Sequence, residues 1–181
     1  MKRMTTRYND YQRYSSLWYA SVRLLKDVWS FFDRRPRLTR VNEQVVVGGR
    51  LTARRAALLC EEGIDTVVSL QGERLDDMAH LRAHLWLPSN DGRPPDARQL
   101  EIGVRFIRGQ VANGRKVYIH CHAGVGRAPT LAAAYLVSTG VAPDDAIAAI
   151  RVVRPWIRMN ARQRAAVHQI ALEGNSSHDV G

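Results

Sequence analysis

Apolar and polar positions along the chain change period several times, and each change marks an element. VNEQVVVGG (41–49) reads as a short strand running into a turn. LTARRAALLCEEG (51–63) places apolar residues at helical spacing and stops at Gly63, so it predicts an amphipathic helix with Cys60 on its apolar face. IDTVVSL (64–70) is a β-branched run of buried-strand length. Residues 73–84 fit a weak helix, HLWLP (84–88) a strand, and SNDGRPPD (89–96) a loop of turn formers. Asp96 stands just before the long helical pattern of 97–114 and suits its N-cap. KVYIH (116–120) is a further strand. A helix then starts inside GVGRAPT, with Pro129 in its first turn, and runs to Gly140. Residues 143–154 and 159–172 are the remaining helical patterns. Strands alternating with helices predict an α/β protein with an at least partly parallel sheet.

Upstream of this body, residues 11–32 form a broad stripe of Tyr14, Leu17, Trp18, Val22, Leu25, Val28, Trp29 and Phe32 at helical spacing. Such a helix suits either packing against the domain or contact with an anionic membrane surface through residues 11–37. RRPR (34–37) ends it. The expected layout is a basic extension over 1–38 with an amphipathic helix, a domain over 39–173 and a flexible tail over 174–181.

Charge sharpens this division. The 181-residue chain carries a net charge of +10, and ten of its 27 Lys/Arg fall in residues 1–40 against only three Asp. The excess is in the leader and the body is nearly balanced, which argues against nucleic acid as the partner. Only Cys60 and Cys121 occur, and no stretch of about 18 apolar residues is present. With no secretory pattern at the start, the expected setting is cytoplasmic, at the membrane periphery if the leader engages lipid.

The chemistry lies in HCHAGVGRAPT (120–130). A strand ends, a glycine loop follows and a helix begins, so backbone N–H groups of residues 122–127 can converge on an anion at a helix N-terminus. Arg127 adds a planar, two-pronged donor for two phosphate oxygens. A thiol at Cys121 is held in that field as the thiolate, a nucleophile inside a dianion cup. It suits attack on phosphorus, giving a cysteinyl-phosphate, with no metal or cofactor required. Asp91, in the loop 30 residues upstream, is the candidate proton donor to the leaving group, and Asp96 is its rival. His122 and Ala123 line the loop and either touch substrate or face water. The two histidines beside Cys121 lack the further Cys/His pair that a metal site needs. Arg154 and Arg158 flank Pro155-Trp156; the plainer reading pairs one of them with Asp144 or Asp145.

HCHAGVGR, together with VVVGG, GIDTVVSLQGE, LPSNDGRPPDARQL and RPWIRMNARQ in order, resembles the cysteine-dependent dual-specificity phosphatases over residues 39–172. The resemblance extends to their lipid-headgroup and glucan-phosphatase branches. It implies a three-layer α/β/α phosphatase fold with a central, mostly parallel sheet. It also implies Cys121 as nucleophile, Arg127 as phosphate clamp, Asp91 as general acid, and His120 as the residue that orders the loop. Residues His122, Ala123, Gly124, Val125, Gly126 and Arg127 would hold the phosphate. The departure is Ala128, where most of the family carries a hydroxyl; a methyl group cannot donate, so breakdown of the intermediate is expected to slow. The substrate would be a phosphomonoester on a protein, a lipid headgroup or a glycan. A catalytically silent phosphate-binding module and a membrane-surface interaction module are the non-enzymatic alternatives.

Overall fold

The computed structural model describes residues 38–73 and 81–176. The helix expected over 11–32 lies outside them, as does most of the weak helix expected over 73–84. The described end of the latter is not helical, because residues from Ala83 onward already belong to a strand.

Five strands form one sheet: β1 (Leu38–Arg40), β2 (Val45–Gly48), β3 (Thr66–Gln71), β4 (Ala83–Ser89) and β5 (Val117–His120). Their order is β1-β2-β5-β3-β4. β2, β5, β3 and β4 run parallel, and β1 alone is antiparallel to its neighbour β2. β1 escaped the sequence reading because three residues cannot show a period. The helices are α1 (Ala53–Glu61), α2 (Ala97–Ala112), α3 (Arg127–Ser138), α4 (Pro143–Val153) and α5 (Ala161–Ser176).

Strand pleat sorts the core into two layers. Val46, Val67 and Tyr118 face one side and pack with Leu59 of α1 and Ile64. Val45, Val47, Val68, Leu70, Val117 and Ile119 face the other and pack with residues of α2, α3, α4 and α5. Both faces are covered, which is why β2, β3 and β5 read as unbroken apolar runs rather than as alternation. The outcome is the three-layer α/β/α architecture. Each fully buried Val, Leu or Ile contributes on the order of 1.5–3 kcal/mol.

α3 is buried along most of its length, from Arg127 to Tyr135. Its Ala128, Ala132, Ala133 and Ala134 let neighbours approach closely. At Gly103 of α2 a Cβ would stand 2.8 Å from Leu131 Cδ1, so α2 and α3 touch where the sequence supplies no side chain.

Three expectations need correction. Cys60 is exposed rather than in the core: the buried side of α1 is centred on Leu59, and the next residue is turned about 100° away. The tail expected from residue 174 begins inside a helix, since the α5 backbone continues through Ser176. The ion pair expected between Arg154 or Arg158 and Asp144 or Asp145 is not among the salt bridges of the described residues: Arg154, just after α4, is buried with its Nε on Gly124 O, and Asp144 lies 3.2 Å from His168. The capping expectation fits. Asp96 accepts from Gln99 N at 2.8 Å and Gln99 Oε1 accepts from Asp96 N at 3.1 Å. Asp96→Ala is expected to cost about 1 kcal/mol in urea unfolding, with no change in the phosphate loop; a neutral effect would mean that the box contributes nothing in solution.

Candidate active site

All four parallel strands deliver their C-terminal ends to one edge of the sheet, where ligands of open α/β sheets bind. β5, at the centre, ends at His120 and hands on to Cys121. β2 supplies Gly48 and Gly49, β3 leads to Glu73, and β4 leads through Ser89 to Asp91.

The loop 121–127 is shaped from outside. His122 O accepts from Arg50 N at 2.9 Å and Val125 O accepts from Arg158 N at 2.7 Å. Gly124 O accepts from Arg154 Nε at 2.7 Å. Gly126 O accepts from Thr130 N at 3.0 Å and from Thr130 Oγ1 at 2.9 Å. A trans peptide is planar, with N–H opposed to C=O, so carbonyls pinned outward turn the N–H groups of Ala123, Val125, Gly126 and Arg127 inward. Gly124 N donates to Cys121 Sγ at 3.3 Å in a buried setting. The thiol is 2% exposed, at the floor of the cup.

Two glycines are required by contact. Gly124 has φ +68°, and a Cβ there would come within 2.2 Å of Gly48 O. At Gly126 a Cβ would meet Gln163 Nε2 at 2.8 Å. Gln163 is itself buried and locked to Asn160: Asn160 N donates to Gln163 Oε1 and Gln163 N donates to Asn160 Oδ1, each at 3.0 Å.

Arg127 is 1% exposed. Its Nη1 donates to Ser89 O at 2.6 Å and Leu70 O at 3.1 Å, fixing the guanidinium to the ends of β3 and β4. Nη2 reaches Glu73 Oε1 at 3.1 Å and Asp91 Oδ1 at 3.3 Å. Its Nε is buried and has no acceptor among the described residues. Two carboxylates thus face the guanidinium, and one donor remains for an incoming oxyanion. Asp91 is carried to this point by its loop, which Asn160 Nδ2 holds through Gly92 O at 2.7 Å. Asp96 is committed to the cap of α2 and is not the proton donor's rival here.

Beneath the loop, His120 is fully buried and stacked on Tyr118, with ring centroids 5.5 Å apart. Tyr118 Oη donates to Gly49 O. His122 is half-buried and Ala123 exposed at the mouth. Burial lowers the His122 pKa from its ordinary 6.5; Arg127 and Arg50 act in the same direction, while Glu73 and Asp91 oppose them. Ala128, behind the arginine, is enclosed in the apolar core with no exposure.

Sequence reasoning missed Glu73, Thr39, Asn160 and Gln163 as parts of this site; the resemblance placed the turn of Arg154 and Arg158 near it, but not the contacts that Arg154 makes. Arg154 Nη1 donates to Thr39 Oγ1 at 2.7 Å, across 115 residues of chain, and its guanidinium lies 5.1 Å from the Trp156 ring centroid. The only advance signal was the Pro-Trp turn between two arginines.

The family model described as a polymorphic toxin system DSP-PTPase phosphatase matches residues 46–141, just over half of the chain. The chain belongs to this family of cysteine-dependent dual-specificity phosphatases. Among its curated relatives, mouse protein tyrosine phosphatase type IVA 3 is 39% identical over 69 residues, 37% of this chain and 40% of that protein. Mouse phosphatidylglycerophosphatase and protein-tyrosine phosphatase 1 is 39% identical over 70 residues, 38% of this chain and 36% of that protein. The matched part therefore spans about two fifths of their length. A crystal structure of PTPMT1 in complex with PI(5)P superimposes with a TM-score of 0.73 at 24% identity, over 79% of this chain and 99% of that one, which shows the shared fold.

Two outcomes test this geometry. Gly124→Ala is expected to abolish vanadate binding and to lower stability by at least about 1–2 kcal/mol, the cost of forcing a side chain into left-handed backbone; wild-type vanadate affinity would disprove the outward-pinned loop. Because the fold lowers the His122 pKa, the unfolded chain binds this proton more readily, so the stabilising contribution is present above about pH 6.5 and is lost as pH falls through the lowered folded value. His122→Gln is expected to reduce the stability lost between pH 7.5 and 5.5, read by urea unfolding at both; an unchanged loss would remove His122 as its source.

Proposed function

We propose that the chain hydrolyses phosphomonoesters through a cysteinyl-phosphate on Cys121, with a phospholipid headgroup as substrate. The observation that carries the reading is the Gly124 N–H on the Cys121 sulfur inside a loop whose His122, Gly124, Val125 and Gly126 carbonyls are bonded from outside. That arrangement gives the sulfur a hydrogen-bond donor and presents the remaining N–H groups to the oxygens of a tetrahedral dianion. Arg127 is already held rigidly by Leu70 O and Ser89 O, so it loses little freedom on gripping phosphate.

In the first step Sγ forms a bond to phosphorus as the P–O ester bond breaks. The leaving oxygen takes a proton from Asp91, which stands 3.3 Å from Arg127 and hence at the rim of the cup. In the second step water attacks phosphorus, Asp91 accepts the water's proton, the P–S bond breaks and the thiolate returns with inorganic phosphate released. Loop N–H groups and Arg127 carry the charge on the equatorial oxygens, and no metal or cofactor is assigned a role. For the donors to reach phosphate, the Glu73 and Asp91 carboxylates must yield their places on the guanidinium.

The headgroup reading draws on the basic balance of the chain and on relatives whose names include a phosphatidylglycerophosphatase. Phosphoprotein is the second reading, favoured by the match to protein tyrosine phosphatase type IVA 3. A cytoplasmic setting at an anionic membrane, with residues 11–37 contributing contact, is part of the same proposal.

Cys121→Ser is expected to abolish turnover of p-nitrophenyl phosphate, and chelator to leave the wild-type rate unchanged. Asp91→Asn should lose about 10²–10⁴-fold on alkyl phosphates and far less on aryl phosphates with good leaving groups. Turnover by the serine variant, or equal loss on both leaving groups, would defeat the respective assignment. Catalytic efficiency on phosphatidylglycerophosphate against a phosphotyrosine peptide decides between the two substrate readings.

A further inference from the structure

The corner between α4 and α5 combines features that the cup does not require. Val152 is 78% exposed and Val153 41% exposed, side by side at the end of α4. Pro155 is exposed and Trp156 half-exposed in the turn that follows. Arg151 on α4, Arg158 in the connection and Arg162 and Arg164 in the first turn of α5 are exposed. From Ala146 to Leu172 the sequence carries five arginines and no Asp or Glu, so no acidic side chain of this segment offsets the charge. Helix packing does not demand protruding valines, since the buried stripe of α4 is met by Ala146, Ile147 and Ile150. The corner is also fastened to the cup, through Arg154 Nε on Gly124 O and Arg158 N on Val125 O.

We infer that this corner is a docking surface for an anionic lipid bilayer, with Val152 and Val153 entering the interface and the surrounding arginines meeting lipid phosphates. The inference rests on the headgroup reading above for its biological use, but the surface stands on its own observations. Charge complementarity selects the occupant: a basic ring serves any polyanion, yet exposed aliphatic side chains beside a Trp gain from a hydrocarbon boundary and offer no stacking face to bases. An acidic protein or RNA would use the arginines and leave the valines in water. Because the same turn holds two of the loop carbonyls, docking here would keep the cup beside the headgroup layer.

The test uses the full chain with Cys60→Ser and Cys121→Ser, so that a thiol-reactive, environment-sensitive fluorophore attaches only at Val152→Cys. A second chain carries the label at Ala57→Cys, an exposed position on α1, which packs on the opposite face of the sheet. On phosphatidylcholine vesicles containing phosphatidylglycerol, the label at 152 should shift to the blue and be quenched by brominated lipid. The label at 57 should not respond, and vesicles of phosphatidylcholine alone should give no effect. A label at 152 that stays in water while the chain sediments with vesicles would overturn the inference, placing contact elsewhere. So would a response to polyuridylate or polyglutamate but not to vesicles. Val152→Ser with Val153→Ser should lower turnover of vesicle-borne phosphatidylglycerophosphate about tenfold and leave p-nitrophenyl phosphate turnover unchanged. If the label inserts while wild type ignores that lipid, the headgroup reading fails and the docking surface stands.

Discussion

The site depends on the orientation of a few peptide planes. Backbone N–H groups can face an anion only if their carbonyls are satisfied on the other side, and here three separate segments supply the donors. Arg50 N comes from the turn after β2, and Arg154 Nε and Arg158 N from the corner between α4 and α5. Thr130, inside α3, closes the set. A loop of small residues would otherwise sample many conformations. Fixing it in advance removes reorganisation from the moment when charge develops on phosphate.

That constraint explains the unusual burial around it. Arg154 loses hydration to reach Gly124 O and Thr39 Oγ1, and stacking on Trp156 offsets part of that loss. Gln163 fills the space behind Gly126 and caps α5 with Asn160, whose side chain also holds the Asp91 loop. One corner of the molecule thus fixes both the glycine loop of Cys121 and the loop that carries Asp91. Arg127 is shared between sheet carbonyls that anchor it and carboxylates that phosphate must displace, so the resting cup is electrostatically occupied.

Much of this was legible from residues alone. Runs such as TVVSL and VYIH read as buried strands, and Asp96 stood out as the N-cap of its helix; that Gln99 closes the capping box came from the structure. Cys121 and Arg127 were singled out because their chemistry is carried by residue type and short spacing, and Asp91, 30 residues upstream, by its place in a loop of turn formers. Cys60 was misplaced because adjacent helical positions differ by about 100°, and the apolar stripe of α1 is too weak to fix its phase. Arg154 was misread because a long cation between charged neighbours gives no sign of direction. Glu73 gave none either: its place on Arg127 follows from β3 and β5 lying side by side, with 54 residues between the two.

The sequence by itself determined most of the elements and the glycine loop between β5 and α3, since these rest on local propensity and on residues within one turn of chain. Only the tertiary structure decided what holds the cup open and what faces its arginine. Those contacts join segments up to 115 residues apart, and a one-dimensional pattern carries no information on which distant donor meets which carbonyl until parallel strand order brings their ends to one edge.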